Sequence, residues 1–485
     1  VQARALRRLD LAFTQFLASS GGHDPAVLLA AALVCERNGH GHVCLSLRHA
    51  LEEPESLFGR LPEDRPESAR TRAELRDLLA ELTLDAWCTA LAASPVVDNR
   101  IDVPEPEDPE GADAARPLVL AGRAARPLLY LRRYWAYEQA IREGLDSRLQ
   151  QDLPVDQAAL RDLLAQLFAP IPGQERPSPD WQRMACALMA RSAFGIITGG
   201  PGTGKTTTVV KLLTVLQGLA RAEGRDRLLI ELAAPTGKAA ARLTESIRQT
   251  ATQIPRNLRP VDLEQIQVKT LHRLLGRQRG DRFRYYAARR LPADLIVVDE
   301  ASMVDVEMMA SLLVAMRPSA RLILLGDKDQ LSSVEAGAVL GDLCRHAREV
   351  RYRPDTLVYL QDTGSLAAGE FPDALRDPKG TALDQSITLL RHSYRFRAEG
   401  GIGALAAEVN SERPGSPEDR LKALQAILDA NRDRDPALGR IDALAVTHTT
   451  EPALRALVIA GLGAEDGYLR VMQAAAEPGE ASDQL

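Results

Sequence analysis

The chain is short of lysine, aromatic residues and cysteine, and it contains no long apolar run. Without about eighteen consecutive apolar residues there is no candidate transmembrane helix, and no signal peptide opens the chain. A cytoplasmic location is therefore expected. The five cysteines, Cys35, Cys44, Cys88, Cys186 and Cys344, are odd in number, widely spaced and set among apolar neighbours. That pattern argues against a disulfide framework or a zinc site and for buried thiols in a reducing compartment. A net charge of −6 excludes a globally basic field, so any contact with nucleic acid has to come from a local patch. Val1 stands where a methionine would open a whole gene product, which suggests a processed or incomplete chain. Otherwise 485 residues, 45% hydrophobic and 26% charged, describe ordinary globular material, roughly two to four domains by length.

The lysine shortage is informative through its exceptions. Only 7 of the 60 basic residues are lysine, so most positions that need only positive charge have become arginine. Three of the seven, Lys205, Lys238 and Lys328, fall in motif-like segments, where a compact ammonium has a use that a planar guanidinium does not.

The first of these segments is the most telling. Gly199-Gly200-Pro201-Gly202-Thr203-Gly204-Lys205-Thr206-Thr207 is a complete phosphate-binding loop between an apolar strand and an apolar helix. Glycines let successive backbone N–H groups close around phosphates, and the helix N-terminus adds partial positive charge. Lys205 is placed to reach phosphate oxygens, and the Thr206 hydroxyl to ligate Mg²⁺. A nucleotide triphosphate, ATP with Mg²⁺, is the expected ligand. Downstream, Asp294-Leu-Ile-Val-Val-Asp299-Glu300 runs an apolar strand into two acids. Asp299 suits the metal and Glu300 the base that polarises the attacking water.

Strands expected at 193–198, 228–234, 294–299 and 321–326 alternate with helical patterns at 205–219, 237–250, 305–316 and 336–346, the signature of an α/β fold with a parallel sheet. Residues 1–94 read as Leu/Ala-rich helices. The Pro-rich acidic run Pro104–Gly111 reads as a linker, Pro127–Tyr137 as a further helical stretch, and Pro170–Pro179 as a shorter break.

Further candidates lie at strand ends, where open α/β sheets bind ligands. Pro235-Thr236-Gly237-Lys238 suits a phosphate of a nucleic-acid strand. Gln330, in Gly326-Asp-Lys-Asp-Gln330, could sense the γ-phosphate, and Gln182 could read adenine. Arg395 is offered as an arginine finger and Tyr394 as a stacking face. Between Lys269 and Arg290 there are eight basic residues against one acid, Asp281, interleaved with Phe283, Tyr285 and Tyr286. Such a segment can follow a single strand, guanidinium groups on phosphates and rings on bases; a plain solvated basic face is the alternative.

Taken in order, Gln182, the loop ending Gly204-Lys205-Thr206, Ala-Pro235-Thr236-Gly237-Lys238, Thr270-Leu-His272-Arg-Leu-Leu, Val-Val-Asp299-Glu300-Ala-Ser-Met303, Gly-Asp327-x-x-Gln330 and Ser393-Tyr394-Arg395 resemble the motifs of superfamily-one helicases of the 5′→3′ branch. Within that branch the chain is most similar to the RecD family, the alpha subunits of the RecBCD helicase-nuclease; Gly41–Leu45 and Tyr130–Trp135 share the likeness. The resemblance implies a motor that hydrolyses ATP through Lys205, Glu300, Gln330 and Arg395, with Thr206 and Asp299 on Mg²⁺. It implies single-stranded DNA at duplex ends bound by Pro235, Thr236, Gly237, Lys238, Thr270, His272, Arg282, Arg284 and Tyr286, and partners RecB and RecC. The implied architecture is a mainly helical partner-docking domain at 1–110, a RecA-like P-loop lobe at 111–350 and an incomplete second RecA-like lobe at 351–485. A second lobe should carry a Lys-Ser-Gln-Gly-like motif and a second arginine finger; neither is found, and Ala445–Thr450 matches no assignable motif. The chain is thus expected to be a truncated product or fragment that binds ATP without turnover. A stand-alone RecD-like helicase and a non-motor ATP-binding scaffold remain as alternatives.

Overall fold

The computed structural model describes residues 6–58, 66–103, 116–169, 178–225, 227–259, 266–278, 282–330, 336–367, 369–394, 400–409 and 416–431, with isolated positions near 452–456. Residues up to His392 form one compact unit and those from Ser393 a second. The first unit opens with α1 (Arg8–Ser19) and α2 (Pro25–Asn38), then β1 (Cys44–Ser46), α3 (Leu47–Glu52), α4 (Pro66–Ala80) and α5 (Leu84–Ala93). The cap of α2 is legible in its first residues: Asp24 accepts from the N–H of Ala26 at 2.8 Å, and Pro25 occupies the first helical position.

Three further strands, β2 (Val97–Ile101), β3 (Leu118–Arg123) and β4 (Arg126–Leu131), complete a four-stranded sheet in the order β1-β4-β3-β2. Leu45, Val97, Leu118, Leu120 and Leu129 pack with Leu17, Leu33, Trp87 and Leu91 into one apolar cluster. Buried Trp87 keeps its indole N–H paired with the carbonyl of Ala26 at 2.9 Å.

This sheet corrects two expectations. Pro127–Tyr137 is not one helix, because β4 occupies its first half and α6 (Arg132–Leu149) only begins at Arg132; Leu128 to Leu131 alternate across a sheet before the helical period sets in. A domain boundary at 110 would divide a continuous sheet, since β2 and β3 pair in parallel register from Val97 opposite Leu118 to Ile101 opposite Gly122. The linker Pro104–Gly111 lies outside the described residues.

After α7 (Gln157–Leu167) and α8 (Trp181–Arg191) the chain enters the larger sheet: β5 (Phe194–Thr198), α9 (Lys205–Ala222), β6 (Ile230–Ala234), α10 (Gly237–Gln253), β7 (Lys269–Thr270), α11 (Leu271–Leu275), β8 (Leu295–Val298), α12 (Val306–Ala315), β9 (Arg321–Gly326), α13 (Val339–Leu343), α14 (Pro354–Asp362) and β10 (Ile387–Leu389). The strand order is β10-β5-β9-β8-β6-β7, and the pairings are parallel. Alternate residues face opposite layers, as a strand with a period of two requires. Ile197, Leu232, Val297, Ile323 and Leu325 pack with α7, α8, α9 and α10. Ile196, Ala233, Ile296, Val298, Leu322 and Leu324 pack with α6, α11 and α12. The α/β core with a parallel sheet is therefore present as expected.

In the larger sheet two strands were not anticipated, and in the smaller one no strand was expected, β1 falling within the stretch 1–94 read as helices. β7 has two residues and β10 three, too short for a periodic signal. β10 also shows why a lobe boundary at 350 does not hold: Ile387 to Leu389 pair with Ile196 to Thr198 in the first sheet. The segment is anchored there by buried Tyr352, whose hydroxyl donates to the carbonyl of Ile387 at 2.7 Å. The second unit contributes α15 (Gly401–Val409) and α16 (Pro417–Asn431), with no strand among its described residues; Ala445–Thr450 lies outside them.

Tyr352→Phe removes that buried hydrogen bond without changing shape. It is expected to lower unfolding stability by about 1 kcal/mol, read from urea unfolding of the chain; an unchanged midpoint would mean that β10 docks without it.

Candidate nucleotide site and nucleic-acid surface

The C-terminal ends of the parallel strands line up. Thr198 lies opposite Gly326 and Leu389, Val298 opposite Leu324 and Ala233, and Ala234 opposite Thr270. The chain leaves β5 for β6 three strands away and later adds β10 on the other flank of β5. The loop after β5 thus opens where strand order reverses, the usual place for a ligand in such sheets.

That loop is Gly199–Gly204, and its backbone explains its glycines. Gly204, the cap of α9, has φ 82° and Gly202 has φ 76°, the left-handed region that L side chains avoid. At Gly199 a Cβ would stand 2.8 Å from Thr203 Oγ1 and 3.0 Å from the carbonyl oxygen of Leu390. Pro201 is exposed at the tip, whereas Thr203 is buried and its hydroxyl donates to the carbonyl of Gly200 at 2.9 Å. Lys205 Nζ donates to the carbonyls of Gly199 at 2.6 Å and Gly200 at 3.2 Å, so the ammonium lies across the loop. Thr206 and Thr207 are half-buried in the first turn of α9. Gln182 is buried on α8, and its amide donates to the carbonyl of Thr203 at 3.1 Å; the residue expected to read adenine also braces the phosphate loop.

The acids arrive from β8 and β9. The Asp299 N–H continues the ladder to Ala233 at 2.9 Å. Glu300, the next residue, has φ 51° and ψ 41° and caps the short turn Ala301–Met303. A non-glycine residue in this region is uncommon and persists only where its surroundings hold it, which is frequent at functional sites. Burial pushes the Asp299 carboxyl up to about 6; the backbone N–H of Glu300 opposes the shift, the charge of Glu300 adds to it, and Lys205 and Arg242 oppose it. Burial in turn lowers the Lys205 ammonium, against the fields of Asp327, Glu300 and Asp299. The loop lysine, the two acids after β8 and the acid after β9 therefore share one poorly hydrated space. Gln330 ends the exposed turn that follows β9, its N–H on the carbonyl of Asp327 at 3.2 Å. Tyr394 is exposed and begins the second unit, and Arg395 lies outside the described residues.

Arg242 was not singled out from the sequence. It stands on α10 four residues beyond Lys238, the spacing that puts two side chains on one helix face, and that offset is the signal that could have found it.

The nucleic-acid candidates flank this cleft. Thr236 caps α10 by accepting from the N–H of Ala239 at 3.2 Å, which leaves Gly237 and Lys238 exposed beside half-buried Pro235. Thr270 caps α11 by accepting from the N–H of Arg273 at 3.2 Å. His272 faces Phe283, ring centroids 6.2 Å apart, and the two line a cleft of about 360 Å³ with Tyr134, Arg277, Asp305 and Glu307.

The basic segment forms a small hairpin bridged at Arg277–Phe283 and Tyr286–Arg289. Its composition overstated its free charge. Lys269 pairs with Glu231 at 2.7 Å, and Arg290 donates to the carbonyls of Val314 and Met316 at the end of α12. Phe283 and Tyr285 pack on the core. Arg282, Arg284, Arg289 and Tyr286 remain exposed, and Arg279 and Asp281 lie outside the described residues. Among the described residues no group of three or more histidine, cysteine, aspartate or glutamate side chains is placed to hold a metal ion, and no helix is long and apolar enough to cross a membrane. All five cysteines are free.

The raised Asp299 carboxyl carries a pH signature. In the folded chain it holds its proton to about pH 6, whereas unfolded it ionises near 3.8. Asp299→Asn is thus expected to match wild type below pH 4, gain relative stability from pH 4 to 6 and hold a constant advantage above that, about 1–3 kcal/mol. Thermal melts across pH 3.5–8 measure it; an advantage that shrinks as pH rises would show that the carboxylate is stabilised by its surroundings.

Comparison with known proteins bears on both halves. A family model for the RecBCD enzyme subunit RecD, N-terminal domain, matches residues 2–125, and a model for an AAA domain matches residues 182–336. The RecBCD enzyme subunit RecD of Mycobacterium tuberculosis (strain H37Rv) is 39% identical over 345 residues, 71% of this chain and 51% of that one. Its namesake in Haemophilus influenzae is 34% identical over 436 residues, 87% of this chain and 62% of that one. The ATP-dependent RecD2 DNA helicase of Deinococcus radiodurans is 35% identical over 215 residues, 42% of this chain and 26% of that one. The chain thus spans about half to three-fifths of the length of the RecD subunits it matches. With a RecD N-terminal domain model matching in front of an AAA-domain model, and these identities across both, the chain is similar to RecD subunits along most of its length.

Proposed function

We propose that the chain is part of an ATP-dependent 5′→3′ DNA helicase subunit that works with RecB and RecC on double-strand DNA ends in the cytoplasm, in recombinational repair. The observation that carries this reading is the meeting of Lys205, Asp299, Glu300 and Asp327 at one sheet edge, with the exposed Lys238 and Arg282–Tyr286 surfaces beside it. A stand-alone helicase is disfavoured because the likeness to the RecD2 helicase covers 42% of the chain, whereas a RecD N-terminal domain covers residues 2–125.

The residues fit a triphosphate. Left-handed Gly202 and Gly204 let the N–H groups of the loop converge, and Lys205 is held over that loop by carbonyl bonds that a phosphate oxygen can replace. Its ammonium stabilises charge that builds on the γ-phosphate in the transition state. Glu300 accepts the proton of the attacking water, and Gln330 senses the γ-phosphate. Thr206 and Asp299 would hold Mg²⁺, which when bound supplies charge neutralisation at the phosphates; Asp299 is available for that above about pH 6. Gln182 would hold the adenine. Lys238, Thr236, Gly237, Pro235, Thr270 and His272 bind the strand backbone, and Arg282, Arg284 and Tyr286 extend the contact to bases.

The test uses the family-length subunit assembled with RecB and RecC. Lys205→Gln is expected to lower strand-stimulated ATP hydrolysis by this subunit, in an assembly whose RecB motor is silenced, about 100-fold or more, with the fold intact by circular dichroism. Glu300→Gln should bind ATP and fail to hydrolyse it. Near-normal turnover in either variant sinks the assignment, and unwinding by this motor that prefers 3′ tails to 5′ tails overturns the polarity.

Replacing Arg282, Arg284 and Tyr286 together by alanine is expected to weaken binding of an oligonucleotide about 10-fold or more and to flatten its salt dependence. Fluorescence anisotropy from 50 to 300 mM salt reads both. An unchanged slope would make the hairpin a solvated face.

A further inference from the structure

The turn after β9 is tied down more heavily than its length explains. The Asp329 carboxylate is gripped from two sides, by Lys328 Nζ at 2.5 Å and by one guanidinium nitrogen of Arg348 at 3.1 and 3.2 Å from its two oxygens. The turn is also fixed to the phosphate-loop strand, because the Lys328 N–H donates to Thr198 Oγ1 at 3.2 Å. Within it the Asp329 N–H reaches Asp327 Oδ1 at 3.1 Å and the Gln330 N–H reaches the Asp327 carbonyl.

Arg348 is itself held. It follows α13, and its carbonyl accepts from Arg391, whose guanidinium lies 5.0 Å over the ring of Trp181, the residue before Gln182. Directly after Arg348 the backbone is forced: Val350 has φ 65° and Arg351 φ 48°. A β-branched residue in the left-handed region is a genuine outlier, kept there by the burial of Val350 and Tyr352 and fixing where the Arg348 side chain leaves the chain. Burial works against ionisation of Asp329, but the hydrogen bonds from Lys328 and Arg348 outweigh it and hold the carboxyl below its ordinary range.

We propose that Arg348 is a positioning residue for ATP hydrolysis: with Lys328 it clamps Asp329, fixes the turn that presents Gln330, and links that turn through Arg391 to the helix that carries Gln182. The inference rests on the ATPase reading above. It also accounts for a lysine kept in an arginine-rich chain. The Lys328 side chain is only 12% exposed, its ammonium set against Asp329 as a compact point charge.

A clamp and a plain surface ion pair differ in what their loss does. The Arg348 side chain is 41% exposed, and pairs this open contribute little to stability, so stability should barely respond to its removal while geometry at Gln330 should. The experiment uses the family-length subunit with RecB and RecC, the RecB motor silenced, measuring strand-stimulated hydrolysis, binding of a fluorescent ATP analogue and the melting temperature. Arg348→Gln and Asp329→Asn are each expected to lower kcat about 10-fold with KM, analogue affinity and melting temperature unchanged. The double variant should be no worse than Asp329→Asn alone, since that change already removes the pair with Arg348, and Arg348→Lys should recover part of the loss. Unchanged kcat, additive losses, or a melting temperature that falls in step with turnover would overturn the clamp. Absence of strand-stimulated hydrolysis in the wild type would instead overturn the ATPase reading.

Discussion

Lys205 must keep a charge while only half open to water, and much of the surrounding architecture answers that demand. Burial lowers its ammonium pKa while Asp327, Glu300 and Asp299 oppose the shift; the charge of Glu300 in turn raises the cost of ionising Asp299. None of these groups would be tolerated alone. A buried charge without partners is far more costly than a paired one, so the lysine and the acids require each other before any ligand is considered. Three parallel strands make the meeting possible, because β5, β8 and β9 end level with one another and release their next residues into one cleft.

Such a site is unusually legible in sequence because chemistry and backbone constrain the same letters. Gly202 and Gly204 are glycine for their φ, Lys205 and Thr206 for what they donate, and Asp299 for its place at the end of four apolar residues. The strands that carry them are buried on both faces and read as apolar runs, which is why β5, β6, β8 and β9 were anticipated within one or two residues. What escaped has a physical reason in each case. β4 passes into α6 with no turn residue between Leu131 and Arg132, so no punctuation marks the change of period. β7 and β10 are too short to show a period. Lys269 and Arg290 looked like free charge because a count of residues cannot see Glu231 or the carbonyls of Val314 and Met316. Arg348 belongs to no motif, and its partner Asp329 is distant in sequence.

The N-terminal domain is not merely appended to the core. Helix α6 continues directly from β4 and packs against α12, and its buried Arg148 donates to the carbonyls of Ala320 at 3.1 Å and Arg317 at 3.1 Å, just before β9. A second contact lies nearer the site: the Gly337 N–H donates to the carbonyl of Gly41 at 3.1 Å, while the Ala336 carbonyl accepts from Val306 at 3.3 Å. Gly337 has φ 96°, and a Cβ there would stand 2.0 Å from Val306 and 3.2 Å from Val43. The N-terminal segment 41–43 thus closes on the backbone at Ala336 and Gly337, at a point where no side chain fits between them.

These contacts join the N-terminal domain to the core that carries the phosphate loop. Gly41 and Val306 hold the backbone at Ala336 and Gly337, and the close packing of Val306 and Val43 around Gly337 leaves no slack there. The turn Asp327–Gln330 is held separately, to β5 through Thr198 and to Arg348 through Asp329. A ligand shifts an equilibrium only through contacts that differ between two states, and segment 41–43 can move against the core only by breaking the hydrogen bond and the packing at Gly337.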